Sequence, residues 1–272
     1  MDFRPIGIFD SGLGGLTAVR ALMEAAPRES FIYLGDTANA PYGDKRPAEI
    51  ADFSRQNIRF LRSKGVKAIL VACNTSTANA MDVMTAENPD LPVIGVLEPA
   101  AAAAVSVTET GRIGVMATAA TVASSAYERA IGRLLPGGAV TAVACPKLVP
   151  LIESGRTGPE DPALMDAVRE YAAPLKEAGA DTVILGCTHY PIVRRAIREA
   201  LGPDVALIDS GAASVGVLLD ELKARDALAA REKEGTRMFA CTARPETFAR
   251  VGSAFLGWPM AGHTEQIHMG EY

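Results

Sequence analysis

The chain has 272 residues, of which 49% are hydrophobic and 22% charged, and its formal net charge is -5 at pH 7. This length exceeds that of most single-core domains, so we expect two domains or two halves that share one cleft. The acidic balance, the first residues without a signal-like pattern and the lack of a membrane-length apolar run predict a cytoplasmic protein that binds neither nucleic acid nor membrane.

Short apolar runs typical of β-strands alternate along the chain with stretches of helical periodicity. This alternation indicates an α/β fold whose sheets are mostly parallel, built from doubly wound units. The predicted strands cover residues 6–9, 31–34, 68–72, 93–96, 113–117, 140–143, 182–185, 206–208 and 238–241.

The first predicted strand ends at Asp10, which opens the glycine-rich segment DSGLGGLT at residues 10–17. The glycines permit a tight turn that directs backbone N–H groups at an anion, and Ser11 adds a hydroxyl. The segment lacks the lysine of a P-loop and the glycine spacing of dinucleotide sites, which favours a small carboxylate ligand. Asp10 either caps the following helix, or orients a cysteine further along the chain, Cys73, or receives a proton from it.

Two later strands end in matching cysteine segments, AILVACNT at residues 68–75 and TVILGCTH at residues 182–189. Each strand delivers its cysteine, Cys73 or Cys187, to the carboxyl edge of a parallel sheet, where open α/β proteins bind ligands. A helix that starts after the thiol should lower the pKa of that thiol and favour the thiolate. The pattern therefore predicts one reactive sulfur on each side of a substrate.

The other two cysteines, Cys145 and Cys241, lack such polar followers and are interpreted as inert buried thiols. Four cysteines are too few for a disulfide framework in a chain of this length, and none has the spacing of a zinc site. We therefore expect reduced thiols and no bound metal.

His189 follows Cys187 by two residues. With an ordinary pKa of about 6.5, its imidazole can move a proton at neutral pH. Contact with the sulfur requires the chain to bend back after the strand, which Pro191 favours. The alternative is that His189 only caps the next helix. His263 and His268 lie in a polar tail and are predicted to be exposed.

The segment IGIFDS at residues 6–11 has a counterpart in IGVMAT at residues 113–118. The spacing between these two segments is close to the spacing between the two cysteine segments. This indicates internal duplication of an α/β unit, with chance matching of apolar runs as the alternative.

The duplication predicts two pseudo-symmetric α/β domains with the active site in the cleft between them. A further echo, LIDSG at residues 207–211, indicates that the chain re-enters the first unit there. We therefore predict one domain from residues 1–98 plus 208–272 and a second from residues 99–207. The charged, alanine-rich segment 225–235 is interpreted as a solvated helix or linker.

Five short motifs follow one another along the chain: DSG at 10–12, PYG at 41–43, ACNT at 72–75, VPLIESG at 149–155 and GCTHYP at 186–191. Together they closely resemble the glutamate racemases of the cofactor-independent aspartate/glutamate racemase superfamily. The aspartate enzymes usually have an acidic residue after Cys-Thr, where this chain has His189. The chain departs from the family pattern at Ser76 and Thr77, where alanine is more usual, and after Trp258.

The resemblance implies interconversion of L- and D-glutamate for peptidoglycan synthesis, without a cofactor and by a homodimer. Cys73 would act on the D-enantiomer and Cys187 on the L-enantiomer. Asp10 would lie near the first thiol, and His189 and Glu153 near the second. The resemblance also implies a set of substrate-binding residues: Asp10, Ser11, Pro41, Tyr42, Gly43, Asn74, Thr75, Thr118, Thr188 and His189.

Racemisation without a cofactor needs two acid/base groups on opposite faces of the α-carbon, one a thiolate and the other a thiol. A pyridoxal phosphate mechanism would need a Schiff-base lysine, and neither Lys45 nor Lys147 ends a strand beside a phosphate-binding loop. The alternatives are an aspartate racemase or related thiol-dependent racemase or decarboxylase, and a non-catalytic amino-acid-binding protein. Exchange of the α-proton in deuterated water separates these readings.

Overall fold

The computed structural model describes residues 1–230 and 232–272 of the chain. Their strands are β1 (Ile6–Asp10), β2 (Phe31–Gly35), β3 (Ala68–Val71), β4 (Val93–Gly95), β5 (Arg112–Ala117), β6 (Ala139–Ala144), β7 (Thr182–Gly186), β8 (Ala206–Asp209), β9 (Arg237–Cys241) and β10 (Thr264–Gln266). They form two sheets, in the orders β10-β9-β2-β1-β3-β4 and β6-β5-β7-β8. All pairings in both sheets are parallel.

Helices connect the strands and cover the sheets. No helix in the described residues is both long enough and apolar enough to cross a membrane. The α-helices are α1 (Leu16–Ala25), α2 (Pro47–Ser63), α3 (Asn74–Ala86), α4 (Leu97–Val107), α5 (Ala119–Ala123), α6 (Ala126–Leu134), α7 (Leu148–Glu153), α8 (Pro162–Glu177), α9 (Arg194–Leu201), α10 (Ser210–Ala224) and α11 (Pro245–Leu256).

Both faces of each sheet are covered, which explains why the strands are nearly continuous apolar runs. Every residue of β1 and β7 is buried. The first sheet packs against α1, α10 and α11 on one face and against α2 and α3 on the other. The second sheet packs against α8 and α9 on one face and against α4 and α6 on the other.

The strand order repeats between the two sheets. The order β2-β1-β3-β4 of the first sheet recurs in the second as β6-β5-β7-β8. Cys73 follows β3 and Cys187 follows β7, so the two thiols leave equivalent strands. The predicted α/β fold with two parallel-sheet units is confirmed, and all nine predicted strands are present.

The C-terminal strand β10 was not predicted from the sequence, because its residues Thr264–Gln266 are all polar. It is an edge strand that pairs with β9, so it does not need an apolar face on both sides. His263 and His268 flank it and are exposed, as predicted.

Two further predictions concern the domain boundary and the segment 225–235. The proposed domain boundary between residues 207 and 208 falls inside β8, which belongs to the second sheet along its whole length. The segment 225–235 follows the end of α10, and its described residues form turns and loops, in agreement with a linker and not with a helix, the two alternatives that the sequence left open. Arg231, within that segment, lies outside the described residues.

Candidate active site

A cavity of about 420 Å³ is lined by loops that follow the carboxyl ends of strands in both sheets. Parallel strands place the residues that follow them at one edge of a sheet, which is where this cavity opens. Every residue predicted for the site lines it: Asp10, Ser11, Pro41, Tyr42, Gly43, Cys73, Asn74, Thr75, Thr118, Glu153, Cys187, Thr188 and His189.

Cys73 lies at the junction of β3 and α3 and is 3% exposed. Its Sγ accepts a hydrogen bond from the backbone N–H of Ser76 at 3.4 Å. The pKa of the Cys73 thiol is raised to about 12, mainly by burial and to a smaller extent by the Asp10 carboxylate. Hydrogen bonds from Ser76 and Ser11 lower this pKa but do not offset the rise. The prediction that the helix start lowers this pKa was wrong, because burial outweighs the helix N-terminus.

Asp10 ends β1 and is fully buried at the rim of the first sheet. Its Oδ2 accepts a hydrogen bond from the backbone N–H of Gly12 at 3.0 Å, and its Oδ1 accepts one from Thr188 Oγ1 at 3.3 Å. Helix α1 begins at Leu16, six residues after Asp10, with Gly15 at its N-cap, so Asp10 does not cap that helix. Its carboxylate instead links the loop after β1 to the loop after β7.

The loop after β1 approaches the second sheet closely at Gly14. A Cβ built on Gly14 would lie 2.3 Å from Thr188 Oγ1 and 2.5 Å from His189 Nδ1. Thr17 Oγ1 also donates a hydrogen bond to the Thr188 carbonyl at 3.1 Å. Only a residue without a side chain permits this contact between the two units.

His189 bends back toward the sulfur of the second cysteine. Its Nδ1 lies 3.8 Å from Cys187 Sγ, and its Nε2 lies 3.0 Å from Glu153 Oε1. Burial alone would lower the pKa of His189, but the contacts with Cys187 and Glu153 raise it to about 10. The same contact with His189 lowers the pKa of Glu153. The charged imidazole of His189 therefore lies between the Cys187 thiol and the half-exposed Glu153 carboxylate.

Asn74 bridges the two units at the floor of the cavity. Tyr127 Oη donates to Asn74 Oδ1 at 2.6 Å, and Asn74 Nδ2 donates to Ser210 Oγ at 3.1 Å. Ser210 Oγ in turn donates to the Leu185 carbonyl at 3.1 Å. The amide of Asn74 is thus held in one orientation, with one N–H not used by these bonds.

A cluster of threonine hydroxyls forms a second bridge between the units. Thr75 Oγ1 lies 3.0 Å from Thr118 Oγ1, which in turn lies 3.0 Å from Thr121 Oγ1. Thr75 follows the first cysteine and Thr118 ends the strand segment that duplicates the first strand. Hydroxyl groups can act as donor or acceptor, so this cluster suits both the carboxylate and the ammonium group of an amino acid.

The hydroxyl of Tyr42 is already engaged within the first unit. It donates to Asp36 Oδ2 and accepts from Asn57 Nδ2 at 3.2 Å, and Tyr42 itself is 1% exposed. Gly43 lines the cavity next to Thr118, from which an added Cβ would be 3.1 Å away. At residues 41–43 the backbone is therefore the part available to a ligand. The binding role predicted for Tyr42 is limited to its backbone groups, because its hydroxyl is already engaged.

Sequence reasoning missed several residues of the cavity wall, among them Cys145 and Arg244. Cys145 follows β6 and donates its S–H to the Val143 carbonyl at 3.3 Å, and burial raises its pKa. Arg244 follows β9. Cys145 directly follows β6, and Arg244 lies three residues after the end of β9, so both belong to segments that follow the carboxyl ends of predicted strands.

The other cysteine interpreted as inert, Cys241, is fully buried within β9, and burial raises its pKa to about 11. Within the described residues, no group of three or more His, Cys, Asp or Glu side chains is arranged to hold a metal ion. The cavity can therefore supply acid/base groups from both units and hydrogen-bond donors for a small polar ligand.

Comparisons with known proteins agree with this chemistry. The family model "Asp/Glu/Hydantoin racemase" matches residues 11–218. The glutamate racemase of Geobacter metallireducens is 42% identical over 94% of each chain, and that of Streptococcus gordonii is 44% identical over 94% of this chain and 96% of its own.

Solved structures give the same result. A glutamate racemase isoform from Bacillus anthracis superposes with a TM-score of 0.93 and 34% identity over 98% of each chain. The glutamate racemase of Francisella tularensis, solved in complex with D-glutamate, superposes with a TM-score of 0.92 and 36% identity over 100% of each chain.

Proposed function

This chain belongs to the Asp/Glu/hydantoin racemase family and is an amino-acid racemase, and on that premise we propose that its substrate is glutamate. We further propose that it interconverts L- and D-glutamate with two thiols and no cofactor. The names of its relatives support the substrate, and the arrangement of the cavity supports the mechanism.

One observation carries the mechanism. Cys73 and Cys187 come from equivalent strands of two similarly ordered sheets and line the same cavity. A substrate bound between the two loops has one sulfur available on each side of its α-carbon. Racemisation needs such a pair, because the proton leaves from one face and returns to the other.

In the L-to-D direction the thiolate of Cys187 removes the α-proton, so a C–H bond breaks and an S–H bond forms. Cys73 then donates its thiol proton to the opposite face, forming the new C–H bond. The His189 imidazolium supplies the counter-ion for the Cys187 thiolate, and Glu153 holds that imidazolium in place. The D-to-L direction runs the same steps in reverse.

The starting protonation states fit this direction. Burial and Asp10 raise the pKa of Cys73 to about 12, so this sulfur holds its proton at neutral pH. The carbanion formed between the sulfurs needs preorganised hydrogen bonds in a cavity that excludes water. Asn74 and the threonine cluster of Thr75, Thr118 and Thr121 are fixed by hydrogen bonds before any ligand arrives.

We propose that the D-glutamate produced is used for peptidoglycan synthesis. The resemblance to glutamate racemases supports this role. Depletion of the protein in its host, with and without added D-glutamate, tests it. We expect growth without D-glutamate to fail and growth with it to recover.

The activity is tested by incubating the protein with each enantiomer of glutamate and aspartate in deuterated water and following the α-proton by NMR. We expect loss of the α-proton signal and formation of the opposite enantiomer for both forms of glutamate, with far slower reaction of aspartate. Faster reaction of aspartate would contradict the substrate assignment. Binding of glutamate without any exchange would indicate a binding protein rather than an enzyme.

A further inference from the structure

Arg244 is an exposed cationic side chain of the cavity wall, whereas the other cation there, the His189 imidazolium, is buried and paired with Glu153. Among the described residues that line the cavity Arg244 is the one lysine or arginine, whereas Asp10, Asp44 and Glu153 are acidic. It is exposed to solvent. Within the described part of the chain, its guanidinium has no ion-pair partner.

The backbone of Arg244 adopts a conformation that its side chain disfavours. Its φ is 55°, in the left-handed region where a glycine would fit without steric cost. Pro245 follows it, and a residue before proline is restricted further. Backbone conformations of this kind cluster at functional sites, so the left-handed conformation of Arg244 points to a functional role.

The surrounding structure holds this backbone from both sides. Thr37 Oγ1 donates to the Ala243 carbonyl at 2.7 Å and accepts from the Ala243 N–H at 2.8 Å. The Arg244 carbonyl accepts the first helical hydrogen bond of α11, from Phe248 N at 2.9 Å. Phe248 is buried against the first sheet. The base of the Arg244 side chain is therefore fixed at the cavity wall.

We propose that Arg244 captures the substrate by binding one of its carboxylates at the cavity entrance, and this inference rests on the proposed function. Glutamate at neutral pH carries two carboxylates and one ammonium group. It must enter an acidic protein, of net charge -5, through a cavity with three acidic lining residues. A guanidinium at the entrance attracts such an anion and presents a planar fork that matches a carboxylate.

The test uses Arg244→Gly, which removes the charge and relieves the backbone conformation. Arg244→Lys keeps the charge, and Arg250→Gln removes a matched exposed arginine of α11 that does not line the cavity. We measure KM and kcat for both enantiomers of glutamate at low and moderate ionic strength, together with the melting temperature.

For Arg244→Gly we expect KM to rise about tenfold, the size of a lost hydrogen bond to a charged group, with kcat within about twofold of the original. Its melting temperature should be unchanged or higher. Arg244→Lys should recover most of the KM, and Arg250→Gln should change neither constant. The kcat/KM of the original protein should fall with ionic strength more steeply than that of Arg244→Gly.

A KM within about twofold of the original in Arg244→Gly, with the same dependence on ionic strength, would overturn this inference and leave the proposed function intact. Failure of the unsubstituted protein to racemise glutamate would instead overturn the proposed function and this inference with it. A fall in kcat and melting temperature at unchanged KM would mean that Arg244 serves only the fold.

Discussion

The two thiols of the cavity have different electrostatic surroundings. Cys73 is buried near the Asp10 carboxylate, and its pKa is raised to about 12, whereas Cys187 lies 3.8 Å from an imidazole whose pKa is raised to about 10. A helix N-terminus contributes about 0.3–1 kcal/mol, which is less than one pKa unit, whereas burial shifts a pKa by up to about 3–5 units. This difference in size explains why the helix after Cys73 does not make it a thiolate.

The charge on His189 sets a pH dependence. Its folded-state pKa lies above its ordinary value of 6.5, so the stabilisation from the charged form is fully present below pH 6.5 and is lost as the pH rises through about 10. In the proposed mechanism the imidazolium is also the counter-ion of the Cys187 thiolate, so turnover from L-glutamate should fall over the same alkaline range.

We predict that Glu153→Gln lowers kcat/KM for L-glutamate by about tenfold and moves the alkaline fall to lower pH. The physical reason is that the Glu153 carboxylate helps to hold the proton on His189. The measurement is the initial rate from pH 6 to about 10.5 by circular dichroism of the product. Glu170→Gln is the control. Glu170 is similarly exposed and forms an ion pair of 2.5 Å with Lys147, but it does not line the cavity. An unshifted alkaline limb in Glu153→Gln would assign the carboxylate a structural role.

Residues of the site were predictable where chemistry and strand position coincided. Cys73, Cys187 and Asp10 all end or follow apolar runs, so a rule about sheet edges was sufficient to find them. Arg244 and Cys145 also lie after strands. Their segments have no second copy elsewhere in the sequence, unlike the matching segments that contain Cys73 and Cys187. The pKa of Cys73 could not be predicted from sequence, because it depends on burial by residues from distant segments.

At the scale of elements, the loop between β1 and α1 joins the two units. Asp10 accepts a hydrogen bond from Thr188 at one end of this loop, and Gly14 packs against Thr188 and His189 at the other. The sequence alone explains the glycines of residues 10–17 by an anion-binding turn. The structure adds a second reason, which is the close approach of the loop to the other unit.

We predict that Gly14→Ala lowers kcat by at least about 100-fold, because an added Cβ would lie 2.5 Å from His189 Nδ1 and displace the imidazole from Cys187. Steady-state kinetics and alkylation of Cys187 measure the effect. Gly132→Ala is the control, since a Cβ at that helical position meets no atom within 4 Å. Normal turnover in Gly14→Ala would mean that the two loops are free to separate without loss of function.

Strands formed by continuous apolar runs could be predicted from the sequence, whereas the edge strand β10, which pairs only with β9, could not. The strand β10 consists of three polar residues and exists because β9 offers it a free edge. The segment 225–235 has the composition of a helix or of a linker, and composition alone did not distinguish these. The apolar runs of β1 and β7, by contrast, needed only local sequence to be assigned.

At the scale of the molecule, the repeated strand order gives each unit one thiol. The order β2-β1-β3-β4 and its counterpart β6-β5-β7-β8 place Cys73 and Cys187 after equivalent strands. The duplication could be predicted because two pairs of segments matched at similar spacing. The hydrogen bonds between the units, such as Tyr127 to Asn74, could not be predicted, because they depend on how the units pack.

We predict that substrate binding draws the two units together over the cavity. The expected result is that D-glutamate protects both Cys73 and Cys187 from alkylation and slows backbone hydrogen exchange in residues 10–15, 41–43 and 187–191 together. The reason is that these segments line one cavity from both sheets. Mass spectrometry of labelled peptides, with and without D-glutamate, measures both effects. Protection confined to one unit would contradict closure.

If each thiol serves one face of the substrate, variants with a single thiol should carry out only half of the reaction. Cys73→Ala and Cys187→Ala are incubated separately with L- and D-glutamate in deuterated water, and α-proton exchange and enantiomer composition are followed together. Cys73→Ala should exchange the α-proton of L-glutamate alone, and Cys187→Ala that of D-glutamate alone, and neither variant should form the opposite enantiomer. Racemisation by either variant at the original rate, or exchange of both enantiomers by one remaining thiol, would show that the two thiols do not each serve one face.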